Sequence, residues 1–429
     1  MQILGPKRLN RALERNLADK GGATDLFSSA PLDLRFALQK TLDSRITFTR
    51  ASTGTYVGAD GLVKTATTNE ARFDHNPTTG ESLGLLVEEA RTNLALQSNQ
   101  FNTTWTNADT SETSAAGIAP DGTNTAWELK DSLDITPTIH GLLQTVSFVS
   151  GTSYTFTCWM KAGTLTQGGF AFPAAAFTTG LSCRVDLSTG SIIASSSGLS
   201  TSTTVYANGW VRVISVATAT ASVASSITIR ILNNANSYIG TGTGTILIWG
   251  AQLEAGAFAT SYIPTTTATV TRAADVASIT GTNFSSWYNQ TEGTVFGQFL
   301  RTASTNTQQG RVFSFNDGTN TNLLEIYQTA GSNPSAQITA TTSQAIWTPS
   351  GFTVGTSIKE VLGYQLNNSN ASFNGSAETL DTVCNMPTLT QARIGDRQDG
   401  VRALNGTIQR LTYWPVRLAN PTLQAITQP

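Results

Sequence analysis

The chain is poor in the residue types that catalysis and metal binding draw on. Its 429 residues include two histidines, His75 and His140, and three cysteines, Cys158, Cys183 and Cys384. Two histidines argue against a histidine-rich metal site or triad. Three cysteines without CxxC spacing cannot complete a disulfide framework and argue against structural zinc. Cys158 and Cys183 could pair with each other, but buried free thiols are expected, because Cys behaves as a small hydrophobe. Charge is scarce as well: Asp, Glu, Lys and Arg make up 13% of the chain, about half the usual share. The formal net charge of −2 offers no basic footprint, so nucleic-acid binding through counterion release is not expected. No apolar run approaches the roughly 18 residues of a membrane span, and no charged-then-apolar leader opens the chain. Neither membrane insertion nor secretion is expected.

Hydroxyl side chains are abundant. Ser and Thr form about a quarter of the chain, and there are 37 glycines. With 39% hydrophobic residues, the length suits roughly two to three domains. The mixture predicts an all-β protein of short strands and polar turns rather than a helix bundle.

Residues 1–50 stand apart, with nine Lys or Arg and five acids. Pro6 suits a first helical turn, Leu9, Leu13 and Leu17 fall on one face, and Gly21–Gly22 supply a stop. So short a helix needs a partner surface. Either it packs on its own body, or residues 1–45 form an anchor arm that docks into a larger assembly. Residues 46–96 read as a turn-rich β connector, with strand candidates near Tyr56–Val57 and Leu85–Val87. From about 97 to 264 the alternation of Tyr154, Phe156, Cys158 and Met160 with Thr155, Thr157, Trp159 and Lys161 predicts a strand. The runs 211–214, 227–231 and 246–249 repeat the pattern, which predicts a two-sheet sandwich. The Thr-rich stretch 265–289 follows Pro264 and reads as an extended linker. A second strand series over 290–429 predicts a second sandwich, ending in a short last turn and a tail. The expected class is thus all-β, two jelly-roll-like β-sandwiches in tandem behind a short helical anchor.

Two resemblances emerge from these segments. "GYQLNNSNASFNGS" (363–376) and "ARIGDRQDGVRALNGTIQRLTYWPVRL" (392–418) resemble the closing part of concanavalin A-like or laminin-G-like sandwiches. "ILIWGAQLEAGAFATSYIPTTTATVTRAADV" (246–276) and "FTRASTGTYVGADGLVKTATTNEARFDHNPTTGESLGLLVEEARTNL" (48–94) are similar to segments flanking carbohydrate-binding-module-like jelly rolls in tailed-bacteriophage virion proteins. The resemblance implies a virion component on the tail or capsid surface, of tail fibre, spike or decoration type and commonly a homotrimer. Its partners would be other virion proteins, reached through the N-terminal arm, and host-surface glycan. No heptad or fibrous repeat accompanies it.

An enzyme is not expected. Concanavalin A-like hydrolases typically carry an ExDxxE-like string, and none occurs. The nearest acidic pair, Glu88–Glu89, points to opposite faces of any strand and is expected to be tied up by neighbours such as Arg91. GxSxG, HExxH and P-loop strings are missing. Polysaccharide depolymerase and head-decoration or tail-adaptor protein stand as alternatives to receptor binding. Among aromatics that could act as sugar platforms, Trp105 and Trp210 have polar surroundings, whereas Trp159 and Trp249 lie in strands and are expected in the core. Asp396, Arg397, Asp399 and Arg402 cluster in one loop that could grip a sugar, bind calcium or form a surface ion-pair network. No specific motif supports calcium, and no cofactor is expected.

Overall fold

The computed structural model describes residues 23–301, 309–331, 333–353 and 355–429. Leu9, Leu13, Leu17 and Gly21–Gly22 lie outside them. Antiparallel sheets dominate, as the composition requires, and no helix of the described residues is long and apolar enough to cross a membrane.

The first sandwich stacks two six-stranded sheets. One runs in the order Ser200–Val205, Val211–Thr218, Ser153–Ala162, Thr245–Ala255, Ala126–Asp131 and Thr110–Gly117. The other runs Ile192–Ser195, Leu181–Asp186, Gln167–Phe172, Val223–Leu232, Gly141–Phe148 and Thr106–Ala108. The period of two sends Phe156, Cys158 and Met160 inward against Phe170, Ile229 and Ile248. Cys158, Cys183 and Cys384 are all buried free thiols, and burial pushes the Cys158 thiol up to about 12.

The second sandwich departs from the linear plan. Its first sheet orders Asn370–Phe373, Ile358–Gln365, Glu292–Arg301, Gly406–Trp414, Ser82–Val87 and Arg72–His75, and Leu32–Leu34 also pairs with Gly406–Trp414. The facing sheet runs Thr47–Thr49, Val276–Thr280, Gln391–Ile394, Gly310–Asn316, Asn322–Gln328, Pro334–Ala340 and Thr342–Trp347. Residues 46–96 are therefore not a separate connector. Leu85 and Val87 are fully buried in the same core as Phe313, Ile326 and Tyr413. Gly84 makes this possible: at φ +94° a Cβ would collide with the backbone oxygen of Ile408. Nor is 265–289 a free linker. Val270–Arg272 pairs antiparallel with Arg91–Asn93, Val276–Thr280 joins the facing sheet, and Phe284 enters the core. Strand pairing follows buried apolar faces rather than sequence adjacency, so the first sandwich is an insertion in the second.

The expected anchor also divides differently from residue 23 onward. The short helix Ala23–Ser28 sets Leu26 and Phe27 against Phe296 and Trp414, whose Nε1 donates to the Leu26 carbonyl at 3.0 Å. The expected C-terminal tail is a helix, Asn420–Thr427, that buries Leu423 and Ile426 in the same cluster and has a proline in its first turn.

Where the chain passes between sandwiches, three arginines and two acids are buried together. Arg50 reaches Asp275 at 3.0 Å, and Arg72 grips both Glu88, at 2.7 Å, and Asp275. Arg272 lies 3.5 Å from Glu88. Burial alone would raise the Glu88 carboxyl, but Arg272, Arg72 and two bonds from Ser261 outweigh it and hold it at about 2. Glu89 pairs with Arg91.

Candidate functional site: the cleft between the sandwiches

The edge strand Ser200–Val205 and its neighbour Val211–Thr218 present their outer face to the segments that precede the first sandwich. Alternation puts Ser200, Ser202 and Thr204 on this face of one strand, and Arg212, Ile214 and Val216 on this face of the next. Opposite stand Thr55 and Tyr56 of the hairpin Gly54–Val57/Val63–Ala66, Asp74 and His75 of Arg72–His75, and the turn 257–262. They enclose a half-open cleft of about 530 Å³, within the size range of small-ligand sites, roughly 300–1,000 Å³. A second hollow of about 470 Å³ adjoins it, and Tyr56 and His75 line both.

The walls are fixed by polar contacts between the bodies. The Thr55 hydroxyl donates to the Tyr262 carbonyl at 2.6 Å, and the Ala207 amide to the Pro77 carbonyl at 3.1 Å. His75 Nδ1 donates to the Val57 carbonyl at 3.0 Å, and Asp74 accepts from the Val57 amide at 2.6 Å. Burial, reinforced by Glu88, raises the Asp74 carboxyl to about 6 against the opposing pull of the Val57 amide and Arg72. Arg212 lies 4.6 Å from the centroid of the Trp159 ring, and its Nη2 donates to the Thr260 carbonyl at 2.8 Å and to Thr157 Oγ1 at 3.2 Å. Trp159 itself packs edge-on against Trp249, Tyr206 and Tyr262. This arrangement suits a polar, hydroxyl-rich ligand: it has hydroxyl rows, a half-buried Tyr56 ring, one fork-shaped cation and one carboxyl of raised pKa.

The residues expected from sequence to bind lie elsewhere. Trp105 is 5% exposed, packs on Phe101 in the first core, and donates its Nε1 to the Leu96 and Gln97 carbonyls. Its polar neighbours face solvent while the ring turns inward. Trp210, 1% exposed, donates to the Ile118 carbonyl at 3.1 Å. Neither is a sugar platform. Trp159 and Trp249 are buried as expected. In the Asp396–Arg402 loop both carboxylates are paired with arginines, and Arg402 rests on a neutral side chain. Asp396 is buried on Arg393, Asp399 pairs with Arg397 and accepts from Asn320, and Arg402 donates to Gln309. Burial lifts Asp396 to about 6 even so. Of the four charged residues expected to act together, three thus sit in two separate ion pairs and Arg402 in none. The loop's carboxylates already carry arginines, and no group of three metal-ligating side chains occurs among the described residues. The cleft residues Asp74, His75 and Arg212 were not singled out from sequence. The only signal was the alternating Ser200, Ser202, Thr204 row, and the Tyr56, Asp74 and His75 part of its opposite wall is more than a hundred residues away.

No known protein family and no curated protein matches the chain. Partial structural similarity links it to the CBM40 domain of the Ruminococcus gnavus IT-sialidase, at 15% identity over 34% of this chain and 87% of that one, with a TM-score of 0.28. NanB sialidase from Streptococcus pneumoniae matches at 13% identity over 35% of this chain and 27% of its own, TM-score 0.28. A SAP-like pentraxin from Limulus polyphemus matches at 13% identity over 32% of this chain and 70% of its own, TM-score 0.24. Each resembles about a third of this chain, at scores too low to carry a function across.

Proposed function

We propose that the protein is a non-enzymatic attachment component of a phage virion, of tail fibre or spike type and trimeric, that binds host-surface glycan in the cleft between its sandwiches. The observation that carries the binding reading is the cleft itself: Ser202, Thr204, Tyr56, Asp74 and Arg212 converge from two bodies held in register by interbody hydrogen bonds. The virion reading is supported by the likeness of residues 48–94 and 246–276 to phage structural proteins, and residues 1–22 are the proposed anchor. A binding rather than a hydrolytic role is supported by the state of Glu88. Glycosidases use two carboxyl groups across the scissile bond, and beside Asp74 the other carboxylate lining the cleft is held by Arg72, Arg272 and Ser261.

A glycan array probed with the full chain tests the binding, with release of reducing ends as the check on hydrolysis. Binding without release supports the reading. Release would make the protein a depolymerase, with Asp74 as the proton donor. A chain that binds no glycan, and that electron microscopy places on the head lattice, would be a decoration protein. Deleting residues 1–22 is expected to abolish incorporation into particles while leaving both sandwiches folded, and retained incorporation would remove the anchor.

A further inference from the structure

The surroundings of Arg212 narrow the class of glycan the cleft can hold, given that it holds one. Arg50, Arg72, Arg91, Arg311 and Arg393 each hold a carboxylate, whereas Arg184, Arg230 and Arg402 rest on neutral oxygens away from the cleft. Arg212 lines the cleft, yet no carboxylate lies within ion-pair distance of it among the described residues, and both of its hydrogen bonds leave from Nη2. Its Nε is buried without a partner. An anion entering this half-enclosed site meets a cation for which no carboxylate of the chain competes. The group is also held ready: the Trp159 ring beneath it and the Thr260 and Thr157 oxygens beside it fix the plane of the guanidinium. A charged guanidinium donor bonds an oxyanion more strongly than it bonds a neutral hydroxyl.

We infer that the cleft selects a carboxylate-bearing sugar, with Arg212 as the specificity-determining residue that pairs with the carboxylate while Ser202 and Thr204 meet ring hydroxyls; this preference rests on the glycan-binding reading of the same cleft. The other acids of the cleft do not compete for Arg212. Glu88 is consumed by Arg72 and Arg272, and Asp74 is directed to the Val57 amide. A neutral sugar would satisfy the hydroxyl rows alone and leave the guanidinium unpaired. A charge-assisted pair is worth about 1.5–3 kcal/mol, which corresponds to roughly 10- to 100-fold in affinity.

The test is an array that pairs each glucuronic-acid-bearing oligosaccharide with its carboxyl-reduced counterpart and includes a sulfated set, probed with the wild-type chain and Arg212→Gln. The acidic member of a pair is expected to bind at least about ten-fold more tightly than its reduced twin, and Arg212→Gln to remove that difference between the members of a pair. Should Arg212→Gln not fold, competition of the bound oligosaccharide by free glucuronate against free glucose on the wild-type chain reads the same preference. Equal binding of acidic and reduced members overturns this inference and leaves the glycan site standing. Preference for sulfate alone overturns the choice of carboxylate. Silence across the whole array overturns the binding reading together with this one.

Discussion

The two sandwiches share an architecture but differ in how their strands are gathered. The first takes all twelve from one uninterrupted stretch, 106–255. The second joins Leu32–Leu34 to Tyr413 at one extreme, and its two sheets close only after the whole first sandwich has been traversed. Closing so long a loop costs entropy that only the complete core recovers. The polar interiors differ as well. In the second sandwich Glu360, opposite Gly297, lies fully buried between Ile358 and Leu362 with neither oxygen partnered, and burial raises its carboxyl well above the ordinary value. Glu325 in the facing sheet is buried too, but on Arg311. A contiguous domain can be stable by itself, whereas an interrupted one depends on the charged junction that brings its halves together.

The largest expected effect breaks this contrast outright. A fragment of residues 94–266 is expected to fold and unfold cooperatively on its own, and one of residues 276–429 to remain unfolded by circular dichroism and proteolysis, because Leu32, Leu34, Phe73, Leu85 and Val87 are missing from its core. A folded 276–429 fragment would show that the early strands merely decorate the sheet.

Next in size is the junction. Arg72→Met leaves Glu88 and Asp275 short of a partner and is expected to cost about 3–5 kcal/mol in denaturant melts. Glu88, held at about 2, gives stability that is complete above the ordinary carboxylate pKa and is lost as pH falls toward 2. Glu360 carries the opposite sign. Its raised pKa makes its contribution full below the unfolded value and lost as pH rises. Glu360→Met is therefore expected to stabilise the second sandwich by about 1–3 kcal/mol at neutral pH, with a smaller gain at pH 4.5. An equal gain at both values would mean that the carboxyl finds a partner. The smallest effect belongs to the loop: Arg397→Ala removes a single partly buried ion pair and should cost about 1 kcal/mol.

The same contrast explains what could be read from the sequence. Alternation over 154–161 and the runs 211–214, 227–231 and 246–249 identified the first sandwich, because each strand's neighbours lie close in the chain. The strand at 82–87 was visible in part as Leu85–Val87 and that at 72–75 was not, and no local signal says that Leu85 pairs with Ile408. Trp105 misled because a tryptophan among threonines reads as exposed, when its indole N–H had carbonyl partners within ten residues. The cleft was hidden for a stronger reason. Its two walls come from sequence-distant bodies, and Arg212 is distinguished only by lining the cleft without a carboxylate partner.

The antiparallel run of Arg91–Asn93 beside Val270–Arg272 has a consequence for the history of the molecule. The polypeptide leaves the outer body and returns to it through one doorway about 5 Å wide, the spacing of neighbouring strands. Any cassette whose own ends emerge side by side would fit that doorway without redirecting the host. The outer body can thus stay constant while the inserted head, and one wall of the cleft with it, is exchanged for another.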